Sequence, residues 1–195
     1  MLQICFATNN INKVKEIKNV LGDRFEVLSL SAVNCLEELP ETGDTLSANS
    51  LQKASYLKQH YNVNCFADDT GLEIEALNGE PGVYSARYAG DQKDNIANIA
   101  LVLRNLEGKT NRKACFKTVI TLLWNNEMIQ FEGRVDGQIN QIPVGENGFG
   151  YDAIFVPNGY TTTFAQMTME QKNAISHRAI AFNKLLEYLN KPTLL

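Results

Sequence analysis

Apolar positions along the chain follow two rhythms, one of strands and one of helices. Leu2 to Ala7 reads as a buried strand, and Asn12 to Leu21 as a helix with Val14, Ile17 and Leu21 on one face. Glu26 to Leu30 reads as a second strand. After a polar loop holding Pro40 and Gly43, a helix is predicted from Thr45 to Tyr61, with Leu46, Leu51, Ala54 and Leu57 as its stripe. Asn64 to Ala67 forms a short strand that runs into Asp68-Asp69-Thr70-Gly71. The glycine- and proline-rich stretch from Asn78 to Gly90 reads as ordered loop. Asp91 is a candidate cap for a helix carrying Ile96, Ile99, Leu103 and Leu106.

Further along, Ala114–Trp124 and Met128–Val135 flank Asn125-Asn126-Glu127 and predict a β-hairpin. Gly145 to Gly150 is a glycine-rich loop leading into a strand over Ala153–Val156. The last helix is predicted from Thr168, with Thr168 and Gln171 as a capping box and Ile175, Ala179, Phe182, Leu186 and Leu189 as its apolar face. The pattern is that of an α/β protein on a long sheet, part of it antiparallel because of the hairpin.

Composition narrows the class. The 195 residues carry 18 Lys+Arg against 22 Asp+Glu, a net charge of −4, which argues against a general nucleic-acid coat. No apolar run approaches the roughly 20 residues of a membrane span, and Met1 to Phe6 has no cationic leader. Cys5, Cys35, Cys65 and Cys115 form no C-x-x-C pair and read as buried reduced thiols of a cytoplasmic protein.

Four clusters could carry chemistry. Thr8-Asn9-Asn10-Ile11-Asn12-Lys13 lies between a strand and a helix, where backbone N–H groups attract anions; it suits a phosphate, or serves as an Asn-rich cap. Glu41 and Asp68-Asp69 supply oxygen ligands of the kind Mg²⁺ prefers, or form a solvated acidic turn, while Glu37 and Glu38 read as surface charge. In Gly145-Glu146-Asn147-Gly148-Phe149-Gly150-Tyr151-Asp152, Phe149 and Tyr151 could stack on a planar ring and Asp152 could accept from its N–H edge, or the stretch is a structural turn. Lys172, Ser176, His177 and Arg178 share an arc of the final helix, where Arg178 offers a planar donor fork, or His177 and Arg178 are helix-surface residues.

Together these clusters resemble the inosine triphosphate pyrophosphatases, also described as noncanonical purine nucleoside triphosphate pyrophosphatases. The resemblance rests on Phe6-Ala7-Thr8-Asn9-Asn10 with Lys13 and Glu16, Pro40-Glu41-Thr42-Gly43, Asn49 with Lys53-Ala54, Ala67 to Leu72, Pro81 to Tyr88, Phe149-Gly150-Tyr151-Asp152 and Ser176-His177-Arg178, in family order along nearly the whole chain. Three positions depart from the family pattern: Ala153 stands where proline is common, Gln166 where Glu is common, and Pro40 where many members have a second Glu.

The resemblance implies Mg²⁺-dependent hydrolysis of ITP, dITP and XTP to the monophosphate and pyrophosphate, clearing deaminated purines from the nucleotide pool. It implies that Thr8 to Lys13 and Lys53 hold the triphosphate and that Glu41 and Asp69 bind the metal. Asp69 is then the proton acceptor, with Asp68 beside it as a second catalytic acid. Thr70 would touch the substrate, and Phe149, Gly150, Tyr151, Asp152, Lys172, His177 and Arg178 would form the nucleoside pocket. The implied fold is an elongated, two-lobed α/β structure around a long mixed, twisted sheet with flanking helices, the site lying in the cleft, all within one domain over 1–195. The implied working form is a cytoplasmic homodimer that binds neither nucleic acid nor membrane.

Overall fold

The computed structural model describes residues 2–10, 12–14 and 25–191. Strands β1 (Leu2–Phe6), β2 (Phe25–Leu28), β3 (Cys65–Ile74), β4 (Lys113–Trp124), β5 (Glu127–Ile139) and β6 (Phe155–Pro157) form one six-stranded sheet in the order β2-β1-β3-β4-β5-β6. β1 pairs in parallel with β2 and β3, whereas β5 and β6 are antiparallel, so the sheet is mixed. Among the described residues it is accompanied by the helices α1 (Leu46–Tyr61), α2 (Asn95–Asn105), α3 (Met169–Ile175) and α4 (His177–Leu189) and by a helical turn at 12–14. Among the described residues no helix is long and apolar enough to cross a membrane.

The chain divides into two compact units. The first comprises Met1–Asp69, Thr118–Glu132 and Ala179–Leu195, the second Thr70–Lys117 and Gly133–Arg178. Strand alternation organises the first. Ile4, Phe6 and Phe66 join Phe182, Leu185 and Leu189 of α4 in one cluster, with Phe66 stacked on Phe6 at 4.5 Å. The alternate residues Cys5, Ala7, Cys65 and Ala67 pack with Ala54 and Leu57 of α1. Both faces of these strands are therefore covered, which explains why they read as unbroken apolar runs. Each large side chain so buried stabilises the fold by about 1.5–3 kcal/mol. In the second unit Leu72, Ile74, Val102, Phe116, Phe155 and Phe164 form a separate core.

Several boundaries differ from expectation. β3 continues through Asp68-Asp69-Thr70-Gly71 to Ile74, so the paired carboxylates stand in mid-strand instead of a turn. Asp94, not Asp91, caps α2, accepting from the N–H groups of Ile96 (2.8 Å) and Ala97 (3.3 Å). Ile96 faces solvent; Asn98 takes an inward place because its amide serves Ala86 and Ala89 of the preceding loop. That loop is not irregular throughout, since Gly82–Arg87 winds into a 3-10 helix.

The capping box at Thr168 and Gln171 forms as expected, but the helix it opens stops at Ile175. Ser176 is extended, and α4 restarts at His177. A serine at such a break suits the start of a new helix, where its short side chain competes for backbone partners. The helix expected over Asn12–Leu21 is seen at residues 12–14, and its remainder lies outside the described residues. The hairpin is present with a two-residue turn, Asn125 adopting φ 53°.

Candidate functional site

In the first unit, alternation along β3 turns Asp68 and Asp69 to opposite faces of the sheet. Asp68 is buried and meets Lys13, its Oδ2 lying 2.8 Å from Lys13 Nζ. Asp69 points to the α1 side, where it accepts from Asn49 Nδ2 at 3.0 Å and lies 3.8 Å from Lys53 Nζ. Lys53 is itself buried; its ammonium donates to Glu41 and, at 2.7 Å, to the Asp68 carbonyl oxygen.

Among the described residues the cluster brings the carboxylates of Glu41, Asp68 and Asp69 to the ammonium groups of Lys13 and Lys53. Burial pushes the Asp69 carboxyl above the ordinary carboxylate range; Lys53 and Lys13 pull it back and Glu41 adds to the rise. Burial works to lower Lys53, but Asp69, Glu41 and Asp68 together hold it above the ordinary lysine range. Lys53 is therefore a fixed positive charge, and Asp69 is a carboxylate of raised basicity.

The adjoining turn is built by its own side chains. Asn10 N–H donates to Thr8 Oγ1 at 3.1 Å, and Asn10 Oδ1 accepts from the N–H groups of Asn12 (3.0 Å) and Lys13 (3.4 Å). Asn10 is thus the cap of the helical turn at 12–14. Asn9 and Asn12 are exposed and Thr8 half-buried; Ile11 lies outside the described residues.

The second unit gathers a different set. Asp152 Oδ2 lies 2.8 Å from Lys172 Nζ and accepts from Phe149 N–H at 2.8 Å, with both charged side chains buried. Gly148 lets this happen: at φ +77°, a Cβ there would lie 2.1 Å from Asp152 Oδ2. Lys172 Nζ stands 5.1 Å from the Phe149 ring centroid and Arg178 Cζ 5.4 Å from the same centroid. Arg178 also donates to Thr70 Oγ1 at 3.4 Å, and His177 stacks on Phe116 at 4.6 Å.

Of the two rings expected to offer a stacking face, Phe149 is half-buried beside the cations, and Gly150 next to it is also half-buried. Tyr151 is instead a core residue whose hydroxyl donates to the Ser85 carbonyl at 2.8 Å. Glu37 is exposed, as expected, but held: Tyr61 (2.5 Å) and Tyr56 (3.0 Å) donate to it, and these bonds, that from Tyr61 foremost, bring its carboxyl down to about 2. Glu38 is exposed as well.

Sequence reasoning passed over Asn49 and Phe116 as site residues. Asn49 left a signal, since it precedes Lys53 by one helical turn and so shares its face. Phe116 left none; only the fold brings it to His177.

These clusters come from segments spread along the whole chain, and the match to known proteins has the same extent. Residues 4–188 match the Ham1 family. The chain belongs to that family. A protein of Christiangramia forsetii is 50% identical over 97% of this chain and 100% of its own length, and is named dITP/XTP pyrophosphatase. A Bacillus subtilis protein of that name is 45% identical over 97% of this chain and 98% of its own. The solved Ham1 protein of Staphylococcus aureus superposes with a TM-score of 0.89 at 41% identity, covering 96% of this chain and 97% of that one. A Mycobacterium abscessus structure described as a nucleoside-triphosphatase and dITP/XTP pyrophosphatase gives 0.79 at 43% identity, over 95% and 99%. The α/β fold with its mixed sheet is that of the Ham1 structures.

Proposed function

We propose that this Ham1-family chain hydrolyses dITP, ITP and XTP to the monophosphate and pyrophosphate. The observation that carries the reading is the Asp69–Lys53–Glu41 cluster, a carboxylate of raised basicity and a second carboxylate meeting one buried ammonium. Relatives of about half identical sequence, matched end to end, bear the name of that activity.

In this reading Asp69 takes the proton of the water that attacks the α-phosphorus. Its raised basicity suits a general base, a role worth roughly 10²–10⁴-fold. Asp68, paired with Lys13, is the second acid of the group and keeps that lysine beside the turn. Lys13 and Lys53 offset phosphate charge, and the polar turn from Thr8 to Lys13 supplies further donors to phosphate oxygens.

Among the described residues no group of three or more His, Cys, Asp or Glu side chains forms a complete metal cage. Glu41 and Asp69 fit Mg²⁺ in its usual mode, one or two carboxylates completed by water and substrate phosphates. When bound there, Mg²⁺ would offset charge building on the phosphate oxygens.

In the second unit, Phe149 offers its ring to the purine while Arg178 and Thr70 offer donors to a 6-keto oxygen. Gly150 lets the backbone approach, and Tyr151, His177 and the Asp152–Lys172 pair hold the wall behind it. Adenine presents a 6-amino donor instead and would leave the arginine N–H unmatched, which a site built to hydrogen-bond can penalise by up to about 10⁴–10⁵-fold. Guanine shares the 6-keto group, so its rejection needs a further contact with the 2-position. The same reading makes the enzyme a cytoplasmic homodimer. Its buried free thiols suit a reducing compartment, and light scattering in solution tests the dimer.

A coupled pyrophosphate assay with ITP, dITP, XTP, ATP and GTP tests the proposal, with ¹⁸O-water marking the attacked phosphorus. Pyrophosphate from the first three, label in the monophosphate, loss with EDTA and return with Mg²⁺ are expected. Free phosphate as first product would mean a different phosphoester hydrolase. Binding without turnover would mean a nucleotide-binding regulator.

A further inference from the structure

Asn49 lies in the second turn of α1 and is 1% exposed. Its amide is engaged at both ends. Oδ1 accepts from the Gly43 N–H at 2.8 Å, and Nδ2 donates to Asp69 Oδ2 at 3.0 Å. One partner is a donor and the other a carboxylate, so a single amide orientation satisfies both. The flipped amide would set oxygen against carboxylate and NH₂ against N–H. A hydroxyl is too short to span the two, and a carboxylate supplies no donor.

The Gly43 end matters because Gly43 lies two residues after Glu41. Its approach to α1 depends on having no side chain: a Cβ would stand 2.7 Å from Ala48 Cβ and 3.0 Å from Asn49 Oδ1. A second clip holds the same segment, as Thr42 N–H donates to Gln52 Oε1 and Gln52 Nε2 to Thr42 Oγ1, each at 2.9 Å. Behind the helix, Ser50 and Thr121 hydroxyls share a hydrogen bond of 2.7 Å, and Gln130 ties Ser47 to Thr121. α1 is therefore tied to β4 and β5 through Ser47 and Ser50, and it presents one amide to both carboxylate-bearing segments.

We propose that Asn49 is a positioning residue for the hydrolysis, its one amide setting the placement of Asp69 and of the Glu41 segment relative to each other. The inference rests on the roles given to Asp69 and Glu41 above. Nδ2–H holds Asp69 by Oδ2 and leaves Oδ1, on the Lys53 side, to receive the proton. Oδ1 of the same amide fixes the stretch that carries Glu41.

A double-mutant cycle on ITP turnover tests this. Asn49→Ala is expected to lower kcat about 10²-fold, the cost of an ångström-scale misplacement, while KM stays within about threefold. Binding of ITP in EDTA is expected to stay within the same threefold. In an Asp69→Asn background the same substitution is expected to cost no more than about tenfold of the residual rate, because the part of its effect that passes through Asp69 is then gone. Equal losses in both backgrounds would overturn the proposal, as would wild-type kcat in Asn49→Ala. Asn49→Asp keeps the acceptor for Gly43 but sets a second carboxylate against Asp69, so kcat is expected to fall at least as far as in the alanine variant; both variants are expected to keep wild-type circular dichroism at the assay temperature, and wild-type kcat in either would overturn the proposal. Wild-type protein that releases no pyrophosphate from ITP would withdraw the underlying function and this role with it, an outcome distinct from an active enzyme with additive losses.

Discussion

The carboxylate–lysine cluster of the first unit and the cation–aromatic cluster of the second meet opposite electrostatic demands. In the first, Asp68, Asp69 and Glu41 face Lys13 and Lys53, and burial, to which Glu41 adds, holds the Asp69 carboxyl above its ordinary range against the pull of the two lysines. In the second, Lys172 closes on Asp152 inside a wall of rings, and Arg178 adds a cation against Phe149. The second pairs its buried carboxylate with an ammonium and sets its cations against a ring. A group under electrostatic tension suits a reaction, and a satisfied one suits recognition.

That contrast can be broken most forcefully at Asp69. Asp69→Asn is expected to cut pyrophosphate release by about 10²–10⁴-fold. Because burial disfavours the charged carboxyl, the same substitution is expected to raise the melting midpoint; a lower midpoint would contradict the picture of local tension. In the second cluster the signs reverse. Lys172→Met leaves a buried Asp152 without its ammonium and is expected to cost about 3–5 kcal/mol in chemical denaturation. Lys172→Met paired with Asp152→Asn is expected to recover much of that loss, which a cycle of the four proteins measures.

Phe149→Leu makes a smaller change. Removing the ring beside both cations is expected to raise KM for ITP about tenfold while leaving kcat within about threefold, read from steady-state kinetics. An equal fall in kcat would place Phe149 in the chemical step instead.

Glu37 gives the smallest effect and serves as a control outside both clusters. Its carboxyl falls from 4.5 to about 2, chiefly through the Tyr61 hydroxyl and its own backbone N–H with Tyr56 and the Leu36 N–H adding to them, so its contribution is complete above pH 4.5 and fades as pH drops towards 2. Melting curves over that range are expected to show this acid-labile component in the wild type and not in Glu37→Gln, with turnover at neutral pH unchanged.

What the sequence disclosed and what it hid differ by the range of the interaction. The Thr168–Gln171 capping box was legible because both partners lie within one turn. The break at Ser176 was not, because Ile175, Ala179 and Phe182 keep a helical rhythm straight across one extended residue. Asp68-Asp69 read as a strand end or a solvated turn, since buried mid-strand carboxylates are rare unless partnered, and the partners Lys13, Asn49 and Lys53 come from elsewhere in the chain. The cap of α2 moved by three residues because two aspartates compete for it and only the backbone decides. The motif letters of both clusters could be read directly. Their pairings could not, whether Asn49 with Gly43 or His177 with Phe116.

The division of labour between the clusters is tested most directly by the ratio of kcat/KM for ITP over ATP, measured in the wild type and in Arg178→Met with pyrophosphate as the detected product. A wild-type ratio above about 10² that falls to within about tenfold of unity in the variant, with pyrophosphate still the product, is expected if the second cluster reads the base and the first performs the chemistry. An unchanged ratio, or a variant that releases no pyrophosphate from either nucleotide, would contradict it.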